Sequence, residues 1–162
     1  MLSLPSHLNV NGTILGLDFG LKRIGIATGH TQTALAHPHS TLQRSVDISV
    51  SPSLIALVKE WQPVAFVVGY PTHADGRSDP HPLQPACQQF AQDLADNFAR
   101  PVALINEQLS SYAAEQSYRQ HHKGPLSKQN KAKLDAYAAQ HILQDFLDGA
   151  PPYQWIEPAQ TP

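Results

Sequence analysis

A single cysteine, Cys87, stands in the 162 residues. That excludes an internal disulfide, and with it a stapled secreted scaffold, and points to a reducing compartment; on a helix, Cys87 reads as a small apolar residue. Charged residues make up 15%, against about 25% in an average domain. Thirteen Asp and Glu against eleven Lys and Arg leave a formal charge of −2. The chain therefore lacks the basic excess of a protein that grips nucleic acid over its whole surface by neutralising phosphates. No apolar run approaches the roughly 18 to 20 residues needed to span a bilayer. The opening Met-Leu-Ser-Leu-Pro-Ser-His has neither the charged nor the apolar region of a signal peptide. Together these absences predict a soluble, cytoplasmic protein without membrane contact.

Proline, by contrast, is abundant: fourteen residues, well above the usual share of about 5%. The prolines cluster in residues 71 to 85 and from 151 to the end. A length of 162 residues suits one domain of roughly 100 to 200 residues. The expected organisation is an N-terminal extension over 1–11, a domain over 12–149 and a proline-rich tail over 150–162. The tail cannot form an ordinary helix, because proline fixes φ and lacks the N–H; it is expected to be extended, with Trp155 and Ile156 docked on the domain.

Hydrophobic periodicity supplies the elements. Residues 13–19 and 22–28 are short apolar runs joined through Gly20-Leu21, which predicts a hairpin, and a weaker strand is expected over 33–42. A helix is expected over 46–61, ended by Pro63, then a strand over 64–68. Phe90, Leu94 and Phe98 recur every four residues in a helix over 83–99. Pro101 opens a strand over 102–105, and helices over 111–121 and 128–148 close the domain. Strands first paired as a hairpin and then alternating with helices imply an α/β domain with a mixed sheet, antiparallel at its start and parallel later.

Asp18 is the most anomalous residue in this pattern. Its carboxylate interrupts an apolar strand, where an ionised group is costly unless it is paired or holds a cation. Alternation puts Ile14, Gly16 and Asp18 on one face and Leu15, Leu17 and Phe19 on the other. Gly16 and Gly20 lack a Cβ and admit a ligand or another backbone. The alternative is a turn aspartate that merely opens the hairpin. Glu107 follows the strand over 102–105, ahead of a helix that Ser110 or Ser111 would cap. It is therefore placed where α/β sheets present ligand groups, although many such loops carry an acid. Asp135 lies on a stripe with Ala139, Ile142 and Phe146, so its carboxylate is expected on the buried face of the last helix. Ala138 and Ala139 would let that helix approach the sheet closely. If Asp18, Glu107 and Asp135 converge, they form a pocket of hard oxygen donors for Mg²⁺, of the kind that supports phosphodiester hydrolysis.

Four stretches carry a family resemblance. They are Gly16-Leu-Asp-Phe-Gly20-Leu-Lys-Arg-Ile-Gly25-Ile-Ala27, Val67-Val-Gly-Tyr-Pro71 with Asp75-Gly76, Asn106-Glu-Gln-Leu-Ser-Ser111, and Lys133-Leu-Asp-Ala-Tyr-Ala-Ala139 continuing through Ile142 and Phe146. In this order, from about residue 12 to 148, they closely resemble the bacterial YqgF family, also described as RuvX-like. That family is assigned both as a Holliday-junction resolvase and as a nuclease maturing pre-16S ribosomal RNA. The resemblance implies an RNase H-like fold, a five-stranded mixed sheet flanked by helices on both faces. It also implies cytoplasmic action on nucleic acid, pre-rRNA or branched DNA, with Mg²⁺ or Mn²⁺, and an acidic catalytic triad at Asp18, Glu107 and Asp135. The chain departs from the family's usual Asp-Glu-Arg, which stands here as Asn106-Glu107-Gln108. A charge is lost from the acidic set, and Gln108 cannot grip a phosphate as a guanidinium does.

A local basic stretch qualifies the charge balance. Arg119, Lys123, Lys128, Lys131 and Lys133 lie between Glu115 and Asp135 with no acid among them. This favours nucleic-acid contact leading to the proposed acid, the alternative being a solvated loop and helix start. Lys22 and Arg23 would extend the surface, and Arg77 belongs to a loop that is either a mobile element near the phosphate path or a simple surface loop. His73 and His81 lack metal-type spacing and are expected to be exposed histidines. Two other readings remain: a non-catalytic RNA- or DNA-binding factor that has kept the fold, and a relative of the actin-like ATPases. The latter share Gly-x-Asp-x-Gly but enclose nucleotide between two domains, and no Gly-Lys-Ser/Thr phosphate loop is present here. The assembly is a monomer or a homodimer.

Overall fold

The structure is a computed structural model that describes residues 11–45, 49–71, 81–106 and 128–159, with side chains of the last helix described from residue 133. Six strands form one mixed sheet: β1 (Thr13–Phe19), β2 (Arg23–His30), β3 (Leu35–Gln43), β4 (Ala65–Tyr70), β5 (Val102–Asn106) and β6 (Gln154–Ile156). Their spatial order is β3-β2-β1-β4-β5-β6. β1 to β3 form an antiparallel meander, β4 and β5 run parallel to β1, and β6 returns antiparallel to β5. This is the mixed α/β sheet expected, with six strands in place of five. The additional strand comes from the tail, where Gln154–Ile156 fits between Pro152 and Pro158 on a sheet edge, the position at which neighbouring prolines are tolerated.

Three described helices cover the two faces: α1 (Pro52–Trp61) and α2 (Gln84–Phe98) on one, α3 (Lys128–Leu147) on the other. α1 starts later than residue 46 because Ser51 caps it. The Ser51 hydroxyl accepts from the Leu54 N–H at 3.2 Å, and Pro52 occupies the first turn, where its missing N–H costs nothing. Ser49 and Val50 are bent, and residues 46–48 lie outside the described residues. The helix expected over 111–121 also lies outside them.

The predicted alternation of β1 decides which core each residue joins. Leu15, Leu17 and Phe19 pack with Leu54, Leu57, Phe90 and Leu94 under α1 and α2. Ile14 packs with Ala139, Ile142, Leu143 and Phe146 under α3. Ala139, Ile142 and Phe146, the stripe anticipated from Asp135, are almost completely buried. Cys87 is buried on α2 with its thiol directed at the Gly69 carbonyl oxygen, 3.5 Å away.

Candidate functional site

Glycines on the sheet set how closely α3 descends. A Cβ on Gly16 would lie 2.7 Å from the Leu143 Cβ and 3.1 Å from the Ala139 carbonyl oxygen. A Cβ on Gly25 would overlap the carbonyl group of Asp135 itself. Gly25 is also the cross-strand partner of Asp18. Directly paired residues share a face and have Cβ positions roughly 5 Å apart. The backbone of Asp135 therefore rests on the residue next to Asp18, and Asp18 faces the α3 side of the sheet. The close approach anticipated for this helix is real, and Gly25 as well as the alanines of α3 permits it. Gly20 acts within the hairpin instead, where its N–H donates to the Arg23 carbonyl oxygen at 3.0 Å and closes the turn.

On the other side, Asp18 pairs with Gly69 of β4, and Gly69 pairs with Ile105 of β5. The carboxyl ends of three parallel strands thus lie side by side, where α/β sheets present ligand groups. Tyr70 pairs with Asn106, the last residue of β5. Glu107 follows at once in the chain and lies outside the described residues, as do Arg77 and Lys123; of Lys128 and Lys131 the helical backbone alone is described.

Arg23 reaches one acid of the candidate site. Its Nε donates to the Asp135 Oδ2 at 2.6 Å, with both side chains partly buried. The first partner of this guanidinium is thus a carboxylate of the candidate site. Lys22 is exposed at the hairpin tip and Lys133 is exposed on α3.

Arg44, which no sequence pattern singles out, holds the hairpin that carries Asp18 and Arg23. Its Nη1 donates to the carbonyl oxygens of Leu21 at 3.0 Å and Gly20 at 3.5 Å, and its guanidinium carbon lies 4.4 Å from the Phe19 ring centroid. Gly25 could have been singled out from the hairpin alone, since folding the strands about Leu21-Lys22 opposes it to Asp18.

Asp18 and Asp135 offer carboxylate oxygens, the donor type suited to Mg²⁺ or Mn²⁺. Among the described residues no three His, Cys, Asp or Glu side chains gather as a complete ligand set. The donor chemistry fits a hard divalent cation, with Glu107 as the outstanding member of the expected set.

The RuvX family, described as Holliday junction resolvase, matches residues 12–149. Curated relatives bear the name "Putative pre-16S rRNA nuclease". One from Methylobacillus flagellatus is 41% identical over 85% of this chain and 92% of its own. One from Dechloromonas aromatica is 44% identical over 85% and 91%, and one from Neisseria gonorrhoeae is 39% identical over 90% and 93%. Thermus thermophilus RuvC, solved in complex with a Holliday junction substrate, superposes with a TM-score of 0.51. The identity is 13%, over 87% of this chain and 98% of that one, a likeness that concerns the RNase H-like fold alone. The chain belongs to the RuvX family, whose members are named as nucleases and resolvases.

Proposed function

We propose that the chain hydrolyses phosphodiester bonds of nucleic acid at an acidic site formed by Asp18, Glu107 and Asp135, using Mg²⁺ or Mn²⁺, in maturation of the 5′ end of pre-16S rRNA. The observation that carries this reading is the close seat of Asp135 on Gly25, the strand partner of Asp18. It brings the Asp135 backbone beside the position of Asp18, near the strand ends after which Glu107 follows. The curated relatives supply the choice of RNA.

A bound divalent ion would stabilise charge on the phosphoryl oxygens and lower the pKa of the attacking water. Asp18 and Asp135 would hold it, Arg23 orienting the Asp135 carboxylate through its Nε. Lys22 and Lys133, with Arg77, Lys123, Lys128 and Lys131, would contact phosphates. Arg23, expected among these cations from its position in the chain, serves first as the partner of Asp135 and reaches phosphate from within the site. With few other Lys and Arg in the chain, affinity for nucleic acid should be local and strongly salt-dependent.

The family description favours a second reading, a Holliday-junction resolvase. Such an enzyme would act as a two-fold dimer on a four-way junction, a symmetry that trimming of RNA does not require. The test is cleavage of end-labelled pre-16S rRNA and of a four-way DNA junction in Mg²⁺ or Mn²⁺, beside Asp18→Asn, Glu107→Gln and Asp135→Asn. Cleavage of RNA, lost in each variant, supports the first reading. Cleavage confined to the junction supports the second. Undiminished cleavage by Asp18→Asn would reject the acidic site, and binding without cleavage by the parent would make the protein a nucleic-acid-binding factor.

A further inference from the structure

The β1–β2 hairpin ends in the tip Leu21-Lys22, which is exposed and yet held in place. The Gly20 N–H closes the turn on the Arg23 carbonyl oxygen at 3.0 Å. The carbonyls of Gly20, Leu21 and Lys22 all accept from one residue, Arg44, just past β3. Its N–H donates to the Lys22 oxygen at 2.8 Å, and its Nη1 to those of Leu21 at 3.0 Å and Gly20 at 3.5 Å. The Arg44 guanidinium also lies over the Phe19 ring. Phe19 belongs to the face packed under α1 and α2, so this brace stands on the side of the sheet opposite Asp18. On the α3 side, the Arg23 side chain reaches the Asp135 carboxylate. The tip is thus tied from both faces. Water can satisfy the carbonyls of an exposed turn, so what the brace adds is a fixed position.

What the fixed tip presents is an apolar side chain. Leu21 is 63% exposed, more than any other large hydrophobic residue among the described residues, where turns ordinarily carry Gly, Asn, Asp, Ser or Pro. A lone exposed leucine is common on protein surfaces; the place of this one sets it apart. Leu21 follows Asp18 by three residues, at most roughly 10 Å of chain at about 3.3 Å per residue, or about three base steps of a stacked strand. Arg23, the partner of Asp135, follows Leu21 by two. The tip and both described acids therefore belong to one connected unit. Its charge is of one sign: from Phe19 to Val46 the charged residues are Lys22, Arg23 and Arg44, with no Asp or Glu, which suits a polyanion.

We propose that Leu21 is an apolar wedge of the site: it enters the stack of the nucleic acid beside the scissile phosphate and parts two neighbouring bases, while Lys22 holds the adjoining phosphate and Arg44 keeps the tip in place. The proposal rests on the nuclease reading and deepens it, adding Leu21 as a residue that touches substrate and Arg44 as a positioning residue. Leucine is among the side chains that part base steps in protein–DNA complexes. Unstacking is costly, and a loose loop would lose further contact energy to its own ordering; a tip braced beforehand does not. An aliphatic wedge makes no hydrogen bond to a base edge. It therefore selects a strand whose bases part easily, beside a helix end, a mismatch or a branch, and not a sequence.

The probes are an RNA hairpin and a four-way DNA junction carrying 2-aminopurine, whose fluorescence rises on unstacking, at successive positions of one strand. They are bound to the full chain carrying Asp18→Asn; affinity is read by anisotropy on fluorescein-labelled copies, and cleavage in the otherwise unaltered chain. Binding should raise the 2-aminopurine signal at a single step of the strand. Leu21→Ala should abolish that rise and weaken binding several-fold, while Leu21→Phe retains both. Arg44→Ala should lower the rise although Leu21 is intact, a loss that an arginine needed only for stability would not cause in a chain that remains folded. Leu35→Ala removes a leucine of similar exposure at the other end of β2 and β3 and should change neither. Circular dichroism on each variant confirms the fold. No rise at any position, or an undiminished rise in Leu21→Ala, would overturn the wedge, and if the parent still cleaves, the nuclease reading survives that result. A rise that Leu21→Ala abolishes, in a chain that cleaves neither probe, would retain the wedge and overturn the nuclease reading instead. Equal loss in Leu21→Ala and Leu21→Phe would overturn the apolar contact, and an undiminished rise in Arg44→Ala would overturn the brace. A parental dimer that Leu21→Ala converts to monomer would reassign the tip to contact between copies and overturn it as a wedge.

Discussion

The Arg23 Nε donates to the Asp135 Oδ2 at 2.6 Å, so a cation of the protein itself already occupies one oxygen of a candidate metal-binding carboxylate. A fixed positive charge at this distance opposes a second cation on the same group and at the same time fixes the carboxylate's direction. Arg23→Gln should therefore bind Mg²⁺ several-fold more tightly by calorimetric titration, while its maximal cleavage rate falls. Unchanged metal affinity would show that the guanidinium and the ion do not share Asp135. The melting temperature should move little, because a partly exposed ion pair contributes about 1 kcal/mol or less.

Gly25→Ala is the sharpest test of how the acids are brought together. The added methyl group would meet the Asp135 carbonyl, which is helix backbone and cannot rotate aside. α3 must shift or tilt at the site. Overpacking of this kind costs typically 1–3 kcal/mol, to be read as a lower denaturation midpoint. Cleavage should fall by far more than the loss of folded protein explains, since displacement of Asp135 by even 1 Å spoils a positioned reaction. A variant with normal activity and lowered stability would mean that Asp135 tolerates displacement and is no part of the reacting centre.

Much of this geometry is legible in the chain. The alternation of β1 correctly divides Ile14, Gly16 and Asp18 from Leu15, Leu17 and Phe19, because a strand buried on both faces still obeys a two-residue period. The i, i+4, i+7, i+11 stripe correctly puts Asp135 beside Ala139, Ile142 and Phe146, because α3 has one dominant apolar face. Local misreadings have local causes. Apolar residues at 46 and 48 extend the expected first helix past Ser51-Pro52, although that dipeptide is itself a start signal. β6 is hidden because its three residues acquire strand geometry only from the pairing of Val102 with Ile156, contacts 54 positions apart in sequence that no local pattern reveals. Arg44 is invisible for the same reason: its two carbonyl acceptors and the Phe19 ring are brought to it by the hairpin and β3, not by its neighbours.

Tyr70 carries a pH dependence. It is buried at the end of β4 and stacks on Tyr153, with ring centroids 4.9 Å apart and planes 11° from parallel. Burial, then the proximity of Tyr153 and of Cys87, raises its pKa above the ordinary value of 10.0. A phenol with a raised folded-state pKa keeps its proton longer in the native than in the unfolded chain. Its contribution to stability is therefore complete below the unfolded pKa and is lost as pH rises through the folded one. Denaturation midpoints should be insensitive to this residue through the neutral range and decline above about pH 10. Tyr70→Phe should flatten that alkaline decline, and a variant that declines as steeply as the parent would assign the effect to other groups.

The tail should prove part of the fold and not an appendage. The family match ends at residue 149, yet beyond it the Tyr153 N–H donates to the Leu104 carbonyl oxygen at 2.7 Å, Ile156 joins the core beneath α1 and α2, and Trp155 meets Phe146 edge-on at 5.9 Å. Removing residues 151–162 would uncover Tyr70, Phe146 and the whole hydrogen-bonding edge of β5, an unprotected strand between two apolar surfaces and so a template for aggregation. The truncated chain should melt at lower temperature and lose solubility on heating. Ile156→Ala, which keeps the strand and removes its buried side chain, should cost about 2–4 kcal/mol in denaturant unfolding. Because Asp18 and Asp135 lie on β1 and α3, away from the β6 edge, this variant should retain cleavage at temperatures where it remains folded; activity lost in step with the side chain would mean that β6 also orders the end of β5 after which Glu107 follows.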